Sequence, residues 1–220
     1  MSHPLVAVLE RAAAGEFPAA DGGTDVLPPD GDGVRAIVAF TGHAYVLADV
    51  DPGEVARRQS DGTGGGFGGA MAPAVQQWLA RDDGEIGSID VVLAAAGGLS
   101  PAGSLQRRDE YRDHPRVRRA LCHRRDVEVY GDDDGMAILG RGLVGRWELS
   151  VELFDPDVPP AGAGRRLIAA GLELVPDGEW CWAQVAAGNT RSLRAFLACG
   201  FQPVCAEVLI TRPHPDDTSC

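Results

Sequence analysis

The sequence contains no lysine, so all twenty of its basic residues are arginine. They are outnumbered by 32 acidic residues, which gives a formal net charge of −12. Proteins that bind nucleic acid or anionic membranes use a basic surface to displace counterions. The charge balance therefore argues against both kinds of partner. It suits a cationic small molecule, and it equally favours solubility.

Long apolar runs and cysteine motifs are lacking as well. No stretch reaches about 18 consecutive apolar residues, and no basic segment followed by an apolar one opens the chain, so neither a membrane span nor a signal peptide is expected. The five cysteines are odd in number and have no C-x-x-C spacing, which predicts neither a disulfide framework nor a zinc site. No close histidine pair suggests another metal. We therefore expect a cytoplasmic protein without a metal.

The 220 residues suffice for one substantial core, or for one core with a smaller appended unit. The breaker-rich loop at residues 97–103 is the best internal boundary. We expect an N-terminal α/β extension over residues 1–104 and the core over residues 105–220. The first segment repeats the order strand, glycine loop, helix, strand, so a degenerate second copy of the core unit is the alternative.

Residues 106–125 form the most arginine-rich segment of the chain, and acidic residues are interleaved with the arginines. Pro115 suits the first position of a helix, and Val117, Ala120 and Leu121 give that helix an apolar stripe. A solvated helical face whose charges pair with one another is the favoured interpretation. The alternatives are a nucleotide-binding patch, or contact of one or two arginines with a cofactor phosphate.

Two nominal G-x-G-x-x-G matches do not predict a dinucleotide fold. The match at residues 64–69 lies in a glycine-dominated loop where such a match is nearly inevitable. Nucleotide binding by that loop stays an alternative hypothesis for the function. The match at residues 140–145 runs into a strand rather than a helix. His43 is the one tempting catalytic histidine, and a structural histidine with satisfied hydrogen bonds is the favoured interpretation there.

The last third of the chain carries the clearest pattern, reading strand, glycine turn, helix, strand, helix, strand over residues 146–210. The turn at residues 159–166 opens a helix. The first N–H groups of a helix and its dipole can bind a phosphate without any lysine. This turn is therefore the leading candidate for an anion site.

The strand before that turn carries two carboxylates. Along residues 147–154 apolar and polar residues alternate, so Leu149 and Val151 are expected on one face and Glu148 and Glu152 on the other. Two acids on one strand face, next to an anion-binding turn, form a constellation with catalytic potential.

Two blocks occur in a fixed order in this region. The first is Gly162-Ala163-Gly164-Arg165-Arg166, and the second begins at Asn189 and ends at Gly200-Phe201. Together they resemble the motifs of the GNAT superfamily of acyl-CoA-dependent N-acetyltransferases. In that family Q/R-x-x-G-x-G/A opens a helix, and an asparagine opens a later helix that ends in Gly-Phe. The resemblance covers residues 116–212 well and the first hundred residues poorly.

The resemblance implies a fold and a set of binding residues. The fold is α/β (α+β), with a mixed, mostly antiparallel sheet that is splayed at a V-shaped cofactor cleft and flanked by helices. The pantetheine arm of CoA would pair with the strand around Leu149 and Val151. The pyrophosphate and neighbouring parts of CoA would contact Gly162, Ala163, Gly164, Arg165, Arg166, Asn189 and Phe196.

The implied reaction is direct attack of an amine, on a small molecule or a peptide, on the thioester of acetyl-CoA. An amine with a pKa of about 10.4 is mostly protonated at neutral pH, so a base must remove a proton. Glu152 is the first candidate for this base and Glu148 the second. The equally weighted alternative is that one or both form ion pairs with Arg141 or Arg146.

Two positions depart from the family pattern. Pro159 stands where the motif usually begins with Gln or Arg, and Phe196 replaces the tyrosine usually credited with protonating the departing thiolate. Tyr130, Cys199 or water could serve instead, and a thiol with a pKa of about 8.5 leaves without much help. These departures favour the alternative function, a non-catalytic acyl-CoA-binding or regulatory protein. Exposed edge strands in such sheets also allow a homodimer.

Overall fold

A computed structural model describes residues 2–31, 33–60, 68–98, 105–155, 157 and 160–212. Within these residues the helices are α1 (Pro4–Ala13), α2 (Pro52–Ser60), α3 (Pro73–Ala80), α4 (Pro115–His123), α5 (Ala163–Glu173) and α6 (Thr190–Ala198). The strands are β1 (Thr24–Leu27), β2 (Arg35–Phe40), β3 (His43–Leu47), β4 (Glu85–Ile86), β5 (Asp90–Ala96), β6 (Gln106–Arg107), β7 (Arg125–Gly131), β8 (Gly135–Arg141), β9 (Trp147–Leu153), β10 (Trp180–Ala186) and β11 (Gln202–Thr211).

The chain divides into two compact units. Unit 1 comprises the described residues of 1–92 and 204–212, and unit 2 comprises those of 93–203. The boundary predicted at residue 104 falls outside the described residues. The division into an extension and a core therefore stays a prediction, as does the hypothesis of a second copy.

Unit 1 contains the sheet β1-β3-β2-β11, with β4 on β11. β1 and β3 are parallel, whereas the other pairs are antiparallel, and β2 and β3 form a hairpin that turns at Thr41-Gly42. Arg35 is buried and donates to the backbone oxygen atoms of Leu79 and Ala80 at the end of α3. This guanidinium therefore satisfies the carbonyl groups that a helix leaves unpaired at its C-terminus.

Unit 2 contains the strand order β5-β10-β9-β8-β7-β6. β6 to β9 pair in antiparallel fashion, and β9 and β10 are parallel. Helix α4 packs Val117 and Ala120 against Met136 and Ile138 on one face of the sheet. Helix α5 lies on the other face, so close that a Cβ added to Gly171 would be 2.6 Å from Leu149 Cδ1. The predicted class, a mixed and mostly antiparallel sheet flanked by helices, is confirmed.

The sheet of unit 2 opens between β9 and β10. The two strands pair at Trp147 with Cys181 and at Glu148 with Trp182. Both strands are described throughout, and they continue to Leu153 and Ala186 without another paired position. The predicted splay therefore begins immediately after Glu148. Beyond it, alternate backbone N–H and C=O groups of β9 face the gap rather than a neighbouring strand.

Among the residues that the structure describes, no helix is long and apolar enough to cross a membrane. Cys181 and Cys199 are free thiols. In the same part of the chain no group of three or more His, Cys, Asp or Glu side chains is arranged to hold a metal ion.

Candidate functional site

The glycine turn opens α5 in the way that the sequence predicts. Gly162 is the N-cap residue with φ +83°, a left-handed conformation that glycine adopts at little cost, and no side chain caps the helix. The Ala163 N–H donates to Pro160 O at 3.0 Å, and the Arg166 N–H donates to Gly162 O at 3.0 Å. The N–H groups of Gly164 and Arg165 have no acceptor among the described residues. Two donors and the positive end of the helix dipole are therefore available to an anion.

Gly164 is a glycine that the packing of the chain does not require. A Cβ added there would meet only Leu153 Cδ1 among the described atoms, at an ordinary contact distance of 3.9 Å. The same distance places the turn beside the last residue of β9, where the gap towards β10 is open. The missing side chain thus leaves room for a ligand to approach the backbone closely.

The side chain of Arg166 contacts another turn of unit 2. Its guanidinium forms ion pairs with Asp132 and Asp134, which lie in the turn between β7 and β8. Partial burial is the largest single influence on the pKa of Asp132 and acts to raise it, but the hydrogen bond and charge of Arg166 together with backbone hydrogen bonds at Asp134 and Gly135 lower the pKa below its ordinary value. Arg166 therefore ties the first turn of α5 to the β7–β8 turn, and its role in cofactor binding stays a prediction.

The second motif, which begins at Asn189 and ends at Gly200-Phe201, forms helix α6 and the residues at its two ends. Asn189 is the N-cap residue of α6, and its Oδ1 accepts from the Ser192 N–H at 3.1 Å. Phe196 is buried and packs edge-on against Phe201, with ring centroids 5.0 Å apart. The Cys199 thiol donates to Arg165 O at 3.3 Å, which joins the last turn of α6 to the first turn of α5.

Glu148 lies at the centre of a buried polar cluster. Its side chain is 3% exposed. Its Oε2 accepts from Arg124 Nε at 3.0 Å, and its Oε1 accepts from Arg146 Nε at 2.9 Å and from Gln184 Nε2 at 3.1 Å. Arg124 also donates to Ser150 Oγ at 3.2 Å. We call Arg124, Arg146, Glu148, Ser150 and Gln184 the Glu148 cluster.

The sequence reveals one partner in this cluster and not the others. The ion pair of Glu148 with Arg146 is one that the sequence suggested, whereas Arg141 pairs with Glu179 at 3.0 Å. Arg124 could not be distinguished from the other arginines of its segment. Gly142 borders the cluster, because a Cβ added there would lie 2.1–2.2 Å from atoms of the Glu148 carboxylate. The nominal motif at residues 140–145 thus marks the wall of this cluster.

Glu152 has a more open environment on the same strand face. Its side chain is 40% exposed, and its Oε2 lies 4.0 Å from Arg116 Nε in α4. Arg116 stands near the start of α4 and Arg124 follows its end, so the helix spans the face from Glu152 to Glu148. The structure therefore brings both predicted carboxylates to one face and gives them different surroundings.

Leu149 and Val151 face the other side of β9. Leu149 is buried against α5, and Val151 is half-buried. Tyr130, one of the substitutes for the absent tyrosine, lies on β7 and donates from its hydroxyl to Glu128 Oε2 at 3.0 Å. Partial burial and this hydrogen bond both raise the pKa of Tyr130.

Three further sequence predictions concern Pro159, the glycine loop at residues 62–69 and His43. Pro159 and nearly all of the glycine loop at residues 62–69 lie outside the described residues, so the predictions made on them are unaddressed. His43 lies in unit 1, where its Nδ1 is 2.8 Å from Asp21 Oδ1 and forms a hydrogen bond, whereas its buried Nε2 lies 3.4 Å from Asp25 Oδ2 and has no hydrogen-bond partner among the described residues.

The arginine-rich segment forms ion pairs within itself and with β7. Arg107 pairs with Asp109 and with Glu128, both at 3.0 Å, and Arg108 pairs with Glu110 at 3.2 Å. These contacts agree with the favoured interpretation of internally paired charges.

No family model matches the sequence, and no curated protein matches it. Among solved structures, the chain is similar to one from Novosphingobium aromaticivorans named as an acetyltransferase of the GNAT family. The two chains are 19% identical, with a TM-score of 0.40, and the match covers 61% of this chain and 70% of that one. A GCN5-related N-acetyltransferase from Kribbella flavida is 16% identical with a TM-score of 0.40, and the match covers 66% of each chain. The solved structures that match thus include proteins named for the family that the motifs resemble.

Proposed function

We propose that unit 2 is an N-acyltransferase that moves an acetyl group from acetyl-CoA to an amine. One observation carries the proposal: the free N–H groups at the start of α5 lie beside the end of β9, where that strand borders an open gap. A thioester cofactor with a pyrophosphate and an amide-bearing arm needs both features next to each other.

The residues present fit this cofactor. The Gly164 and Arg165 N–H groups can donate to pyrophosphate oxygens, and the missing Cβ of Gly164 permits a close approach. The backbone groups of β9 that face the gap can pair with the amides of a pantetheine arm, as an added strand would. When bound, acetyl-CoA supplies an activated acetyl group.

Glu152 is the carboxylate better placed to act as the base. It is partly exposed, and its described ion pair with Arg116 is long at 4.0 Å, so a water or an amine can reach it. Glu148 is almost fully buried, and both of its oxygen atoms already accept hydrogen bonds from arginines. We therefore assign proton removal to Glu152.

In the proposed reaction the amine nitrogen forms a bond to the acetyl carbon, and the carbon–sulfur bond breaks. Glu152 takes the proton from the amine, directly or through water. Phe196 carries no hydroxyl and is buried against Phe201, so it donates nothing to the sulfur. The thiolate leaves without a protein acid, because a thiol has a pKa of about 8.5.

The test is release of free thiol from acetyl-CoA across a panel of amines, both small molecules and peptide N-termini. We expect turnover on at least one amine. Glu152→Gln should lower kcat about 100-fold or more, because general-base catalysis contributes about that factor. Glu128→Gln, a change at a carboxylate on β7, is the matched control and should retain activity.

The buried phenylalanine at position 196 favours a second candidate, an acyl-CoA-binding protein without activity. In that case acetyl-CoA would bind saturably while no amine stimulates thiol release. That result would reject the enzyme and keep the binding site. Absence of acetyl-CoA binding would reject both functions.

A further inference from the structure

We propose that Glu148 is a positioning residue that fixes the point at which β9 and β10 separate. The proposal rests on the proposed function, because the gap between these strands matters only if a ligand enters it. It assigns to Glu148 a role different from that of a base.

The position of Glu148 on the sheet carries the inference. Glu148 and Trp182 form the last paired position between β9 and β10. Gln184 lies two residues further along β10, beyond the paired region, and its Nε2 reaches back to Glu148 Oε1 at 3.1 Å. A side-chain hydrogen bond therefore links the two strands where their backbone pairing has stopped.

The carboxylate is itself held from three further directions. Arg124, which follows α4, donates to its Oε2, and Arg146, from the segment before β9, donates to its Oε1 at 2.9 Å. The Leu143 N–H donates to the same oxygen at 3.3 Å. Because donors from three segments of unit 2 meet on this one carboxylate of β9, its position sets the position of Gln184 and hence of β10 just beyond the last paired position.

The same contacts argue against a proton-transfer role. The carboxylate is 3% exposed, and Gly142 lies so close to it that even a methyl group would overlap. An amine or a water molecule could contact Glu148 only after displacing an arginine. Removing one partner of such a buried ion pair is strongly destabilising, which suits a residue that organises structure.

Gln184→Leu tests the link with the smallest disturbance, because it keeps the side-chain volume and leaves both arginine contacts of Glu148 intact. Gln76→Leu is the matched control, since Gln76 is a buried glutamine of unit 1 that donates to Met71 O at 2.7 Å. Thermal melting establishes that each variant folds. If Gln184→Leu does not fold, Gln184→Asn shortens the same link without adding an apolar group.

Calorimetric titration with CoA measures binding, and steady-state kinetics separate KM from kcat. For Gln184→Leu we expect the Kd for CoA and the KM for acetyl-CoA to rise about three- to tenfold, which is the equivalent of one hydrogen bond. The kcat and its pH profile should be unchanged. Gln76→Leu should leave both constants unchanged. Unaltered CoA binding in a folded Gln184 variant overturns the proposal.

Glu148→Gln separates positioning from catalysis. As a positioning residue, Glu148 should give a variant with weaker CoA binding and an unchanged pH profile of kcat. A folded variant that binds CoA normally but has kcat lowered about 100-fold or more would instead identify Glu148 as the base. Failure of the wild-type protein to turn over any amine would reject the enzymatic function, while the binding measurement would still test the positioning role.

Discussion

Replacement of Gly164 by alanine should separate ligand binding from folding. The added Cβ has open space, with Leu153 Cδ1 at 3.9 Å as the one described neighbour, so no clash opposes folding. Because alanine is a better helix former than glycine, we expect the free energy of unfolding to stay constant or to rise by up to about 1 kcal/mol. Urea unfolding followed by circular dichroism measures this change.

Binding should respond in the opposite direction. A methyl group at position 164 would keep a phosphate away from the Gly164 and Arg165 N–H groups. A hydrogen bond to a charged group contributes about 1.5–3 kcal/mol, so the loss of one such bond weakens binding by about 10- to 150-fold. Calorimetric titration with acetyl-CoA gives the dissociation constant.

Gly31→Ala is the matched control, because a Cβ at this glycine of unit 1 also meets open space. It should leave the dissociation constant unchanged. Normal acetyl-CoA affinity in a folded Gly164→Ala protein would refute the assignment of the glycine turn as a pyrophosphate site. A large loss of stability would refute the claim that packing does not require this glycine.

Two other substitutions test the contacts around the site. Gly142→Ala should destabilise unit 2 by about 1–3 kcal/mol, because its Cβ would lie 2.1–2.2 Å from the Glu148 carboxylate and would force it out of its cluster; urea unfolding would show no change if that contact were wrong. Asp132→Asn should cost up to about 1 kcal/mol near neutral pH, since it breaks the partly exposed pair with Arg166. The pKa of Asp132 is lowered in the folded protein. The greater stability of the wild type over Asp132→Asn is therefore fully present above the ordinary pKa of 3.8, and it disappears as the pH falls through the folded pKa. An advantage that persisted in acid would contradict the pairing.

The features predicted from sequence are those encoded by neighbouring residues. The glycine turn at Gly162, the strand that carries Glu148 and Glu152 and the helix that begins after Asn189 each depend on short segments, and each appears in the structure. The splay between β9 and β10 came from the resemblance to a family, because no local pattern shows where two parallel strands stop pairing.

The features not predicted depend on contacts between distant segments. Arg124 and Gln184 are 24 and 36 residues from Glu148 in the chain. Nothing in their immediate sequence separates them from other arginines and glutamines. The side chain of Arg166 pairs with two aspartates of a turn that is 32–34 residues away. Side-chain partners of this kind become visible only when the sheet register is known.

The closeness of α5 to the sheet has a consequence for sequence variation. A Cβ at Gly171 would lie 2.6 Å from Leu149 Cδ1 and 3.3 Å from the Cβ of Ala137. The three positions therefore share one fixed volume, and their residues cannot vary independently. A chain of this fold with alanine at position 171 should carry a smaller residue than leucine at position 149, so that the two substitutions compensate in a double-mutant cycle.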